Sequence, residues 1–152
     1  MKKFFLKYKK EIFLGLGLTL AYFATRLFNL TLMPIFTDEA IYIRWSEIAL
    51  HDPTWRFISL SDGKQPLMIW LMMIPLRFLA DPLLAGRLVS VFTDFGTMVG
   101  LFFLGWQVFK KREIGWLAAF LYLFYPFAFV YDRMALMDGL VGMFAVWALL
   151  FE

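Results

Sequence analysis

The chain has no cysteine, a single histidine and little charge. Without cysteine, disulfides and thiolate metal sites are excluded. His51 alone cannot build a histidine-rich metal centre. No nucleophile motif, internal repeat or low-complexity tract is visible, so nothing favours a lipid phosphatase or acyltransferase. Charged residues make up only 18% of the 152 positions and apolar ones 62%, beyond the apolar share of ordinary soluble domains. Nineteen Phe and six Trp exceed what one small water-soluble core can hide, so lipid is the expected solvent for much of the surface.

The net charge of +3 does not point to nucleic acid. Eight of the fifteen Lys and Arg lie in two short clusters, Lys2–Lys10 and Lys110–Arg112. Such clusters beside apolar runs are typical of cytoplasmic membrane loops. The basic head and apolar run of "MKKFFLKYKKEIFLGLGLTLAYFAT" resemble a signal peptide. The apolar character continues to Phe36 with no small-x-small cleavage site, so the segment is expected to stay as a first span.

The expected fold is all-α and integral to the membrane, with about four transmembrane helices. The spans are placed at about 12–32, 82–109, 114–131 and 139–152, the last one truncated, with an outer loop over 33–81. Arg26, near the outer end of the first span, is expected to snorkel. Within the loop, Thr37 is a candidate N-cap for a helix through Leu50, and Asp52-Pro53 ends that helix. His51 fits a cap at its end better than a ligand. "SDGKQP" is turn chemistry, and Pro66 begins a second helix through Ala80. That helix is short, roughly 22 Å at 1.5 Å per residue, and carries Pro75 and Arg77. If it crossed the bilayer, "KKRE" would fall outside, against the positive-inside preference. Both loop helices are therefore expected to be interfacial. Asp81-Pro82 forms an N-cap and N1 pair for the second span, and Pro126 should kink the third. The fourth run stops at Glu152 after about fourteen residues, short of the roughly twenty needed to cross, so the chain reads as the N-terminal part of a larger membrane protein.

This parity brings Asp38, Glu39, Lys64, Asp132, Arg133 and Asp138 to the non-cytoplasmic surface from three separated stretches. Adjacent helical residues point about 100° apart, so only one of Asp38 and Glu39 should face a cavity; Asp38 is favoured, with Glu39 supporting it or binding metal. Acids in a first helical turn also simply complement the helix dipole, which applies to both and to Asp138. Lys64 is at least as consistent with a solvated loop lysine, and Asp132 reads as simply solvated. Arg87 and Asp94, seven apart on about one face of the second span, suggest a structural pairing of Asp94 with Arg87 or with a later helix, ahead of a substrate role. Gly96 and Gly100 match the small-xxx-small pattern of close helix packing.

"TRLFNLTLMPIFTDEAIYIRWSEIA", "GKQPLMIW", "AGRLVSVFTDFGTMVG" and "YDRMALMDGL", in that order, resemble the opening of a polyprenyl-phosphate-sugar-dependent membrane glycosyltransferase. That GT-C-type superfamily includes protein O-mannosyltransferases and lipid A aminoarabinose transferases. The resemblance implies inverting sugar transfer from a lipid-phosphate donor to a lipid, glycan or protein acceptor on the outer face of the cell membrane. The N-terminus would be cytoplasmic. It implies Asp38, with Glu39 beside it, as the catalytic acid pair, and Lys64 and Arg133 as donor-phosphate ligands. Asp138 and Tyr42 are assigned to substrate binding or support of the site. Some members carry a metal-binding Glu just before the lysine, where this chain has Gly63. A divalent metal, the one cofactor the resemblance allows, would then fall to Glu39 or Asp138. These residues alone are expected to be inactive. An alternative of another class is a non-catalytic membrane subunit or transporter fragment in which Asp94 is the functional intramembrane acid.

Overall fold

Capping chemistry sets most of the helix boundaries in the computed structural model, which describes residues 2–152, with side chains from Tyr8 onward. The side chains of Lys2, Lys3 and Lys7 in the first basic cluster lie outside the described residues. The elements are α1 (Lys2–Leu27), α2 (Thr37–His51), α3 (Leu67–Leu76), α4 (Pro82–Phe109), α5 (Arg112–Phe124), α6 (Pro126–Tyr131) and α7 (Met137–Phe151), with short 3₁₀ turns at Pro53–Trp55 and Ile58–Asp62. Among the described residues there is no strand, so the all-α expectation holds.

Asp81 caps α4 as expected, its Oδ1 accepting from the backbone N–H groups of Leu83 (2.9 Å) and Leu84 (3.2 Å), with Pro82 at the first helical position. Asp52 accepts from the Thr54 N–H at 2.9 Å and starts the next turn, while His51 Nδ1 lies 2.8 Å from the Glu47 carbonyl. Lys110 ends α4 with φ +55, and Lys111 precedes the first residue of α5.

Four sequence expectations are corrected. The first helix ends at Leu27 rather than near Leu32, because Asn29 turns the chain with φ +48. The N-cap of α2 is Phe36, not Thr37; the Glu39 carboxylate reaches back to the Phe36 N–H at 2.9 Å and takes the capping role. The second loop helix covers ten residues, Leu67–Leu76, and its Met68, Ile69, Met72 and Met73 are buried in a protein core. Pro126 breaks the third apolar run into α5 and α6 instead of bending it, since a proline cannot donate to the carbonyl one turn back.

Two apolar clusters organise the helices. Tyr42, Ile43 and Ala49 of α2 pack with the α3 methionines and with Ala135, Leu136 and Leu140 around the start of α7. Leu18 and Tyr22 of α1 pack with Val91 and Met98 of α4 and with Ala119 and Leu123 of α5. The expected small-residue stripe is realised against α7. A Cβ at Gly96 would meet the Met143 sulfur at 2.7 Å, and one at Gly100 would meet Val146 at 2.8 Å. The Trp147 indole N–H donates to the Gly96 carbonyl at 3.0 Å across the same seam. α4 has 28 residues, roughly 42 Å of rise, and is long and apolar enough to cross a membrane; it is the one helix of that kind among the described residues.

Candidate functional site at one end of the bundle

Two ion pairs fix which chain segments share an end. Arg112 Nη1 donates to both oxygens of Glu11 at 2.9 Å, tying the start of α1 to the α4–α5 turn with its Lys110-Lys111. At the other end of α4, Arg87 forms a forked pair with Glu39, Nε to Oε1 and Nη2 to Oε2, each 2.9 Å. The remaining guanidinium hydrogens reach the carbonyls of Leu30, Met33 and Pro34 at 2.9–3.1 Å. Glu39 also accepts from the N–H of Phe36 (2.9 Å) and of Ala135 (2.7 Å). This lock joins the chain after α1, the first turn of α2, the start of α4 and the residue two before α7.

Both Arg87 and Glu39 are fully buried. Burial by itself would raise the Glu39 pKa, but hydrogen bonds from Arg87 and from the Phe36 and Ala135 N–H groups, together with the Arg87 charge, hold it below its ordinary value. With four donors on two oxygens, the carboxylate has no free face. Glu39 is thereby held in a structural lock, the supporting role foreseen for it beside Asp38. The expected Arg87–Asp94 pair is corrected, since Glu39 takes the guanidinium.

Asp38, its neighbour, points elsewhere and is half-buried. Lys64 is held near it by the turn after Ile58–Asp62, where Gly63 adopts φ +67 and the Lys64 N–H reaches back to the Ser59 carbonyl at 3.0 Å. The Lys64 Nζ lies 5.9 Å from the centre of the Tyr42 ring. A hydrogen bond to Tyr42 is the main influence raising the Lys64 pKa, and the Asp38 and Asp62 carboxylates raise it further, against an opposing effect of burial. Lys64 is in no salt bridge among the described residues. Three expected site residues, Asp38, Tyr42 and Lys64, thus lie near one another where the first turns of α2 meet the turn before α3.

Arg133 and Asp138 belong to neighbouring but separate surroundings. Arg133 Nη2 donates to the carbonyls of Phe28 and Asn29, both at 2.8 Å, and its Nε is buried without a partner. Desolvation, followed by the Arg87 and Arg26 charges, lowers its pKa. Asp138, exposed in the first turn of α7, lines a cavity with Asp94 and Asp132. Among the described residues, no group of three carboxylate or imidazole side chains is arranged to hold a metal ion, so Asp138 has no partners for that task.

One pair escaped the sequence reading altogether. Arg26 does not snorkel and Asp132 is not solvated: both are buried, with Arg26 Nε 3.2 Å from Asp132 Oδ2. The Tyr122 hydroxyl donates to Asp132 Oδ1 at 2.9 Å, and Arg26 Nη1 donates to the Leu123 carbonyl at 2.9 Å. Burial raises the Asp132 pKa, against the Tyr122 and Arg26 hydrogen bonds and the Arg26 charge, which lower it. No local signal links two residues 106 positions apart. No family model, curated protein or solved structure matches this chain.

Proposed function

We propose that this chain is part of a membrane-embedded glycosyltransferase that moves a sugar from a polyprenyl-phosphate carrier to an acceptor hydroxyl at the non-cytoplasmic surface. The observation that carries the reading is the Glu39–Arg87–Ala135 lock. It sets Asp38 on the end of the bundle that also presents Lys64, Arg133 and Asp138, away from the Lys110-Lys111 turn.

The distribution of side chains supports a lipid surroundings for the bundle. Arg26, Glu39, Arg87, Asp94 and Asp132 are buried, while Leu20, Phe92, Leu117, Phe120, Phe144 and Leu149 are exposed. Water would favour the opposite arrangement, and hydrocarbon favours this one. On this reading α1, α4, the α5–α6 pair and α7 cross the membrane, and α2 and α3 sit at its outer boundary. A donor with an apolar tail and a charged, hydrated head suits a site at such a boundary.

The chemistry assigned to the site is a single displacement. The acceptor hydroxyl oxygen bonds to the anomeric carbon as that carbon's bond to the phosphate oxygen breaks. The hydroxyl proton passes to the Asp38 carboxylate, and the bonding pair leaves with the lipid phosphate. The Lys64 ammonium, beside Tyr42, faces the charge that develops on the phosphate, and Arg133 adds positive potential from the adjoining loop. The configuration at the anomeric carbon inverts. In the full-length protein, Asp38→Asn should insert and fold normally yet transfer labelled sugar from polyprenyl-phosphate donors at least about 100-fold more slowly. Turnover at the wild-type rate would remove Asp38 from the reaction.

A further inference from the structure

A second polar feature lies between α4, α5, α6 and α7, away from Asp38 and Lys64. It is a cavity of about 360 Å³ onto which Asp94, Thr97, Asp132 and Asp138 open. Asp132 is committed to Arg26 and Tyr122. Asp94 is not committed: it is 2% exposed, and among the described residues no group donates a hydrogen bond to it. The Thr97 side chain, 7% exposed, also lines the cavity, and its Oγ1 is buried with no partner. The Asp94 carboxylate therefore borders this space with no hydrogen-bond donor, and the unpartnered Thr97 hydroxyl is buried beside it, a costly arrangement unless something enters.

Helix α7 packs its Gly139 backbone directly against the Asp94 carboxylate, where a Cβ would have no room, while a Cβ at Gly142 would meet nothing within 4 Å. The Gly142 side of α7 is the part that leaves the space open. Three carboxylates surround the cavity, and one guanidinium, that of Arg26, offsets them. Tyr122, Tyr125, Phe127 and Tyr131 supply aromatic walls.

We infer that this cavity is a binding site for the primary ammonium group of a small molecule, with Asp94 as its counter-ion and Thr97 Oγ1 as a hydrogen-bond acceptor. The excess of carboxylates selects a cation. A hard divalent ion needs six or more oxygens in an ordered shell, and the described residues offer no group of three metal-ligating side chains. An ammonium group brings its own N–H donors to the unsatisfied oxygens, and aromatic faces favour it further. Asp138, exposed at the rim, attracts the ligand inward.

The site shares only its rim residue Asp138 with the transfer site proposed above, and its test separates the two. Saturation-transfer NMR on the whole protein in nanodiscs, with glucosamine as probe and glucose as its neutral counterpart, should show transfer to glucosamine alone. Asp94→Asn should weaken the glucosamine signal at least tenfold, Thr97→Val several-fold, and Asp38→Asn not at all, with helicity by circular dichroism unchanged in each. Equal transfer to glucose, a signal indifferent to Asp94→Asn and Thr97→Val, or displacement by sodium as effective as by methylammonium would each overturn the inference.

Discussion

Replacing Glu39 with Gln tests the lock on which the geometry of the proposed site depends. The carboxylate accepts four hydrogen bonds: two from Arg87 and one each from the N–H groups of Phe36 and Ala135. A glutamine of the same shape keeps one acceptor oxygen, which can serve two of those donors, and turns an NH₂ group toward the other two. Two buried donors left unpaired cost about 1–3 kcal/mol each. The Arg87 charge also loses its counter-ion, although the carbonyls of Leu30, Met33 and Pro34 still hold the guanidinium. Breaking one side of a buried ion pair costs about 3–5 kcal/mol, in line with the donor count. For a chain of this size that corresponds to a fall of about 6–20 °C in Tm. The assay is thermal unfolding of the detergent-solubilised protein followed by circular dichroism. Glu39→Leu combined with Arg87→Met should cost less than the sum of the single changes, because no unpaired charge remains. A Glu39→Gln protein melting within about 3 °C of wild type would refute the claim that this pair holds the four segments together.

Other consequences follow from the same structure. Because the Glu39 pKa lies below its ordinary value of 4.5, its contribution is fully present above that pH and is lost as pH falls through the lowered folded value; an acid titration of stability should show this loss, and Glu39→Gln should remove it. Gly139→Ala places a methyl group on the Asp94 carboxylate and should destabilise by about 1–3 kcal/mol, with partial recovery when Asp94→Ala is added, measured by denaturant unfolding. If the bundle spans the membrane as proposed, a cysteine at Lys110 should react with an impermeant thiol reagent only from the cytoplasmic side, and one at Ser61 only from the outside. Labelling of both positions from one side would scatter the acids and cations of the proposed site.

Local chemistry made much of this architecture legible. The pair Asp81-Pro82 could only begin a helix, "KKR" could only be a turn between apolar runs, and Asp52-Pro53 could only stop α2, because capping, proline geometry and hydration act over a few residues. The glycines at 96 and 100 announced a close helix seam by the same short-range logic. What the sequence left open was the choice of partners. Two adjacent acids on a helix point in different directions, and nothing local says which one is turned inward. The tertiary fold decided that Glu39 meets Arg87, 48 positions away, and that Asp38 is left half-buried near Lys64. It also drew Arg26 into the interior to meet Asp132 and left Asp94 without a donor. Such pairings are long-range outcomes, set by where whole helices come to rest: a buried charge takes whichever counter-charge the packing delivers, whatever the spacing along the chain suggests.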